Sequence, residues 1–168
     1  MPMSAYIRDL REKIGTAVIE IPTVSIVTFD DRQRVLLVRH VEGNLWTTPG
    51  GMIEPYEIPA DAAVREMWEE TGLYVKLTRI IGVFGGSEFS GTYSNGDQTA
   101  WVSTVFGAQL ISGSPRPDGE ETLEVRYFDR TDLTGLRCKP HIRHYLDAAY
   151  AADSKPHFQQ PTWQPAAG

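Results

Sequence analysis

The stretch GMIEPYEIPADAAVREMWEETGL, Gly51 to Leu73, decides how this chain is read. Ile58 to Thr71 is rich in Ala, Glu, Met and Arg, with Pro59 in the first turn and Gly72 just past the end, so it predicts a helix. On that helix Glu66, Glu69 and Glu70 stand at i, i+3 and i+4, which puts three carboxylates on one face. Ala60, Ala63, Val64 and Met67 form a different face, suited to docking on a sheet. Like charges at these spacings oppose helix formation by roughly 0.2–0.5 kcal/mol per pair. Taken alone, such a triad is more often a solvated acidic face. Its sharper reading is a site for a hard divalent cation, which prefers carboxylate oxygens and leaves positions for water and phosphate.

Working outward, Ala5 to Ile14 carries apolar residues near helical spacing and ends at Gly15. Two β-rich runs follow, Thr23 to Phe29 and Arg34 to Val41. The polar Asp30-Asp31-Arg32-Gln33 between them predicts a hairpin. Beyond the helix, Val75 to Phe84, Thr99 to Leu110 and Thr122 to Phe128 read as strands, and His141 to Ala151 as a last helix. Gly85 to Gly96 is a Gly/Ser-rich loop, and Ser112 to Gly119 a polar connection. Strands mixed with one long central helix predict an α+β fold, a mixed β-sheet sandwiched between helices in α/β/α layers. Three segments are expected: an N-terminal helix within 1–16, a catalytic domain over 17–152, and a tail over 153–168. The tail is rich in Pro and Gln but carries Phe158 and Trp163, which are expected to order it by docking.

Composition narrows the function. A chain of 168 residues is sized for one domain with a real core. A formal net charge of −6 and no basic stripe argue against nucleic acid and anionic membrane as partners. No apolar run approaches a membrane span, and the N-terminus lacks the apolar core of a secretory signal. One cysteine, Cys138, leaves neither an internal disulfide nor a cysteine-based zinc site. Together these point to the cytoplasm. The amphipathic N-terminal segment and the tail aromatics offer apolar surface for a homodimer.

The spacing Gly51-x5-Glu57-x7-Arg65-Glu66-Met67-x-Glu69-Glu70-x-Gly72-Leu73 resembles the Nudix box at every fixed position, with Leu45-Trp46 and Pro49-Gly50-Gly51 ahead of it as in that family. The resemblance runs more loosely from about Thr23 to the C-terminal helix. It implies the Nudix fold and a metal-dependent hydrolase that cleaves the diphosphate linkage of a nucleoside diphosphate derivative by attack of water on phosphorus. It also implies Mg²⁺ or Mn²⁺ on Glu66, Glu69, Glu70 and the Gly50 carbonyl, with Glu57 either binding a second ion through water or capping the helix. Arg65 is expected to orient a glutamate. The family's base does not carry over by motif. Glu121, after the 112–119 connection, is the expected base, with Glu70 the alternative inside the box and Glu69 beside it. Tyr56 departs from the glycine common in relatives.

Substrate contacts are read from the loops. Trp46, Phe89, Tyr93, Asn95 and Asp97 are placed to stack on a base or hydrogen-bond to it, with Trp101 a further stacking residue, while core packing is the commoner use of each such aromatic. His141 and His144 share a helix face, by default an ordinary surface, with a phosphate contact as the alternative. The subfamily motifs for ADP-ribose, coenzyme A and NADH are missing. Two alternatives remain on the same scaffold. One is a non-catalytic nucleotide-derivative sensor, against which the intact box argues. The other is an isoprenoid diphosphate isomerase, which calls for a reactive cysteine near the site, whereas Cys138 lies far down the chain.

Overall fold

The computed structural model describes residues 4–93, 95–151 and 155–165. Helix α1 (Ala5–Ile14) starts on Ser4, whose hydroxyl accepts from the Ile7 N–H, and stops at Gly15. Strands β1 (Ile19–Thr28), β4 (Leu73–Phe84), β5 (Ser90–Thr92), β6 (Gln98–Gly113) and β8 (His157–Phe158) make one sheet. Its path runs β1-β6-β4-β8, parallel between β1 and β6 and antiparallel between β6 and β4. A smaller antiparallel sheet, β3-β2-β7, joins β2 (Val35–His40), β3 (Leu45–Thr47) and β7 (Thr122–Phe128).

Helix α2 (Pro59–Thr71) covers one side. Its Ala62, Ala63 and Met67 pack with Val24, Ile26, Leu36, Val75 and Phe106. Helix α3 (Ile142–Tyr150) covers the other, burying Ile142, Tyr145 and Leu146 against Val27, Leu37, Phe84, Val105 and Phe128. The expected α/β/α sandwich is therefore present. Within α2 the packed face is built on Ala62, Ala63 and Met67, while Ala60 and Val64 are only half-buried. The packed face is thus turned from the expected one, and it draws Glu66 and Glu70 in with it.

The expected hairpin does not form. The turn at Asp30 is real: its carboxylate accepts from the Arg32 and Arg34 N–H groups. Past one bridge between Phe29 and Val35, however, β1 and β2 part into different sheets. Each side of β1 is otherwise engaged. β6 pairs along one edge, and the Pro49–Ile53 segment lies along the other. There Ile26 N–H donates to the Pro49 carbonyl and Val24 N–H to the Gly51 carbonyl, each at 2.9 Å.

His157 and Phe158 add to the edge of β4, and the His157 ring stacks on Phe84 at 5.2 Å. Phe158 and Trp163 face outward, at 64% and 79% exposure, so within this chain backbone pairing and His157 hold the tail, and the two aromatics do not dock on the body of the same chain. The expected boundary at 152/153 lies outside the described residues. Among the described residues no helix is long and apolar enough to cross a membrane.

Candidate active site

The segment that lies along β1 brings Gly50 and Gly51 against the buried carboxylates of α2. Gly50 has φ 147°, and a Cβ there would overlap the Val24 carbonyl, so only glycine lets the loop lie this close to β1. Its N–H donates to Glu70 Oε2 at 3.1 Å. A Cβ on Gly51 would fall on the Glu66 carboxylate, which the loop packs directly against.

Arg65 organises the rest. Its Nε and Nη2 donate to the two oxygens of Glu57 at 2.8 and 2.9 Å, a bidentate pair. Nη1 donates to Glu66 at 2.8 Å and to Glu69 at 3.0 Å, and Nη2 also reaches the Met52 carbonyl. Arg65 thus pairs with three glutamates of the box. These bonds hold Glu57 below the usual carboxylate range, while the Glu57 carboxylate in turn accepts the Glu54 N–H. Glu69 stays exposed.

Glu66 and Glu70 differ from the other two. Each is only 4% exposed. Burial raises the Glu66 carboxyl against the pull of Arg65. Burial and then the Glu66 charge push Glu70 to about 8, with the Gly50 N–H opposing. Of the two, Glu66 is paired with Arg65, while Glu70 accepts the Gly50 N–H.

Around Glu70 stand groups that sequence reading missed. Asp118 and Lys139 both act on its charge. Asp118 Oδ1 accepts from the N–H groups of Glu120, Glu121 and Thr122, fixing the turn that carries Glu121. The Val41 N–H donates to the Glu121 carbonyl at 2.7 Å, which ties that turn to the end of β2. Lys139 is half-buried. Burial lowers its ammonium, and Glu42 and Glu70 oppose that shift. His40 is driven to about 4 by burial and by Lys139. Only the box had a sequence pattern; these groups come together through the small sheet.

Several expected substrate contacts are core. Trp46 meets Phe128 edge-on at 4.6 Å and Phe89 is fully buried among Trp101 and Tyr145, because the apolar space under α3 demands large rings. Trp101 packs on the same cluster. Asp97 is buried beside Arg11 at 3.5 Å and accepts from Asn95, so both close a turn rather than face a ligand. Ser94, inside that turn, lies outside the described residues. Tyr93 remains half-exposed, with Glu42 acting on its phenol. His141 packs among rings and is pushed to about 4 by burial, and His144 pairs with Glu88 at 3.2 Å. Cys138 bridges to Trp46, and burial raises its thiol, which disfavours a thiolate.

The NUDIX domain model matches residues 20–149. The chain belongs to the NUDIX family. Among its NUDIX relatives is a MutT-like protein of Streptomyces ambofaciens, 30% identical over 87% of each chain. A Bacillus subtilis protein provisionally named as an 8-oxo-dGTP diphosphatase is 31% identical over 61% of this chain, which spans 62% of that relative. A NUDIX hydrolase structure from Nitrosomonas europaea superposes with a TM-score of 0.67 at 23% identity, covering 82% of this chain and 93% of that one. Relatives in the family carry the names of diphosphatases and pyrophosphatases.

The donor set at the box fits a divalent cation. All the donors are oxygens, two of the carboxylates are buried on one helix face, and two glycines keep Cβ atoms out of the space beside them. Among the described residues no three His, Cys, Asp or Glu side chains yet converge as a ligand cluster. Glu57, Glu66 and Glu69 are drawn onto Arg65 instead, so a cation has to share or displace those bonds.

Proposed function

We propose that this chain is a divalent-cation-dependent hydrolase that cleaves the diphosphate linkage of a nucleoside diphosphate derivative by attack of water on phosphorus. The observation that carries the reading is the buried Glu66–Glu70 pair packed against Gly50 and Gly51, in which burial raises both carboxyls although Arg65 holds Glu66. Glu66, Glu69 and Glu70, the Gly50 carbonyl and, at the edge, Glu57 would hold Mg²⁺ or Mn²⁺. Such an ion supplies charge neutralisation on the diphosphate and acidification of water.

The chain's own residues do the rest. Arg65 fixes the orientation of Glu57, Glu66 and Glu69, so their oxygens are arranged before substrate arrives. Glu121, on the turn fixed by Asp118, accepts the proton of the attacking water, with Glu70 the second choice. Tyr93 offers an exposed ring for a nucleobase. The relative named for 8-oxo-dGTP supports a nucleoside phosphate as substrate. Tyr6 and Ile14, turned outward on α1, support a homodimer, which light scattering tests.

The experiment is a panel of nucleoside triphosphates, nucleotide sugars, dinucleoside polyphosphates and ADP-ribose, incubated with Mg²⁺, Mn²⁺ or EDTA. Turnover that needs the metal supports the reading. Thermal protection by a compound that is never hydrolysed would replace it with a sensor.

A further inference from the structure

One stretch of β1 keeps an open edge. Its Val24 and Ile26 N–H groups donate to the Gly51 and Pro49 carbonyls, and its Pro22 carbonyl accepts from the Ile53 N–H. A strand turns alternate residues to the same side, so Glu20 presents its N–H and carbonyl to that edge too. There the partner segment bends away: Glu54 N–H donates to Glu57, and Pro55 has no N–H. Among the described residues no main-chain group pairs with Glu20 on that side. The open edge lies in a groove of about 450 Å³. Its walls are Tyr6 and Ile7 of α1, Ile19 and Ile21 of β1, and Met52 and Ile53 of the box loop. The charged residues in it are Glu20 and Glu54, both acidic, and Tyr56 beside them keeps its ring fully exposed.

The tail is the counterpart of this groove. Residues 155–165 are exposed throughout, carry no acidic side chain, and hold Trp163 between Pro161 and Pro165. In an extended tail Pro161, Trp163 and Pro165 face one edge, where the two prolines lack an N–H. Thr162 and Gln164 keep theirs on the other edge. That pattern suits a strand added at the margin of a sheet, with its proline side outward. The tail does not reach its own groove. Pairing with β4 and a hydrogen bond from the Gly85 N–H to the Gln159 side chain, at 3.3 Å, hold it to the β4 edge. From Gln159 to Trp163 the main chain spans at most about 14 Å. The order β1-β6-β4-β8 puts β1 itself about 14 Å away, and the groove lies on its far side, with the sheet between.

We infer that this groove receives the tail of a second copy, with Thr162 and Gln164 pairing along Glu20 and the Trp163 indole filling the apolar space. The exchange is reciprocal, because a two-fold dimer makes each contact twice. It rests on the homodimer named above and gives that dimer its interface. Groove and tail together engage roughly 20 residues of each copy, the size of a stable interface. An indole alone buries about 150–250 Å². Acidic groove residues meet a tail that has none. The docked tail lies against the loop whose Met52 carbonyl and Glu54 N–H hold Arg65 and Glu57, so each copy braces the other's box.

The test is sedimentation equilibrium of the full chain, read as the dimer dissociation constant. Trp163→Ser and Tyr6→Asp are each expected to raise it about a hundredfold, tenfold for each of two equal contacts. Trp163 is exposed in the single chain, and Tyr6 sits in the first turn of α1, where an acid does not harm the helix. A loss at an unchanged circular-dichroism spectrum is therefore not a folding defect. Mixing the two variants is the sharper arm. A Trp163→Ser copy keeps its groove and a Tyr6→Asp copy keeps its tail, so the mixture regains one contact and associates more tightly than either alone. A parent that stays monomeric at about 100 μM overturns the docking and the dimer together. A dimer unmoved by Trp163→Ser overturns the docking and leaves the dimer standing. A dimer weakened by Trp163→Ser but not by Tyr6→Asp, or no gain on mixing, overturns the assignment of this groove.

Discussion

Two arginines hold this molecule's two working loops, and they do so with different partners. Arg65 binds three glutamates of the box, all within a stretch of 23 residues. Arg11, on α1, donates to the carbonyls of Gly15 and Ala17 nearby and of Gln98 across the chain, and lies against Asp97. One clamp tunes charge at a reactive site, and the other braces the turn from which Tyr93 projects. The difference teaches that a buried guanidinium serves chemistry when its partners are carboxylates that a substrate or ion also wants. It serves architecture when its partners are main-chain carbonyls.

The comparison can be broken by mutation. Arg65→Ala leaves three carboxylates gathered without their cation, and its expected cost is about 3 kcal/mol of stability, read by chemical denaturation. Arg65→Lys should recover only part of it, since one ammonium cannot replace the bidentate pair with Glu57 and the bonds to Glu66 and Glu69 together. Arg11→Ala is expected to cost about 2 kcal/mol through several lost hydrogen bonds. Its signature is a raised KM with Mg²⁺ affinity unchanged, because the defect lies at the Tyr93 turn. If Arg11→Ala weakens the metal and spares KM, the division of labour between the clamps is wrong.

Protons sharpen the same contrast. Glu70 has its folded pKa raised to about 8 from the ordinary 4.5, so between those values the folded state holds a proton that the unfolded state lacks. Stability of the metal-free protein therefore falls as pH rises through that window and levels off above it. His40 and His141 work the other way, since their folded values near 4 lie below the ordinary 6.5 and stability rises with pH between the two. From pH 6.5 to 8 the Glu70 effect is the one left, at about 1.4 kcal/mol per pH unit. Melting curves in EDTA should show that decline, and Glu70→Gln should abolish it.

The smallest effect concerns Tyr56, which holds φ 69° with its ring fully exposed, on the loop into α2. A residue with a Cβ is strained in that region, so Tyr56→Gly should stabilise by roughly 0.5 kcal/mol, after the entropy glycine gains on unfolding. Here the departure from the family's glycine, visible in the sequence, meets its physical consequence.

Legibility followed sequence distance. The box, α2 with Pro59 and Gly72 at its ends, α1 and β7 could be read directly, because caps, spacing and alternation are local signals. The hairpin failed because β1 takes partners from residues 49–53 and 98–108 rather than from its neighbour β2. Trp46 and Phe89 could be read either as stacking residues or as core, because an aromatic in a loop gives no sign of the cavity it fills. Lys139 and Asp118 were missed because only the pairing of β2 with β3 and β7, and the bridge at Trp46, bring their loops to Glu70.

The most direct test of the central claim compares Glu70→Gln with the parent, measuring both Mg²⁺-dependent hydrolysis of the best diphosphate and the melting temperature in EDTA at pH 8. A buried charge kept for chemistry is a stability liability, and the amide can still accept the Gly50 N–H. The expected result is activity lower by about two orders of magnitude or more, with a melting temperature equal to or above the parent's. Undiminished hydrolysis in Glu70→Gln would contradict the assignment of the buried carboxylate pair as the reactive centre.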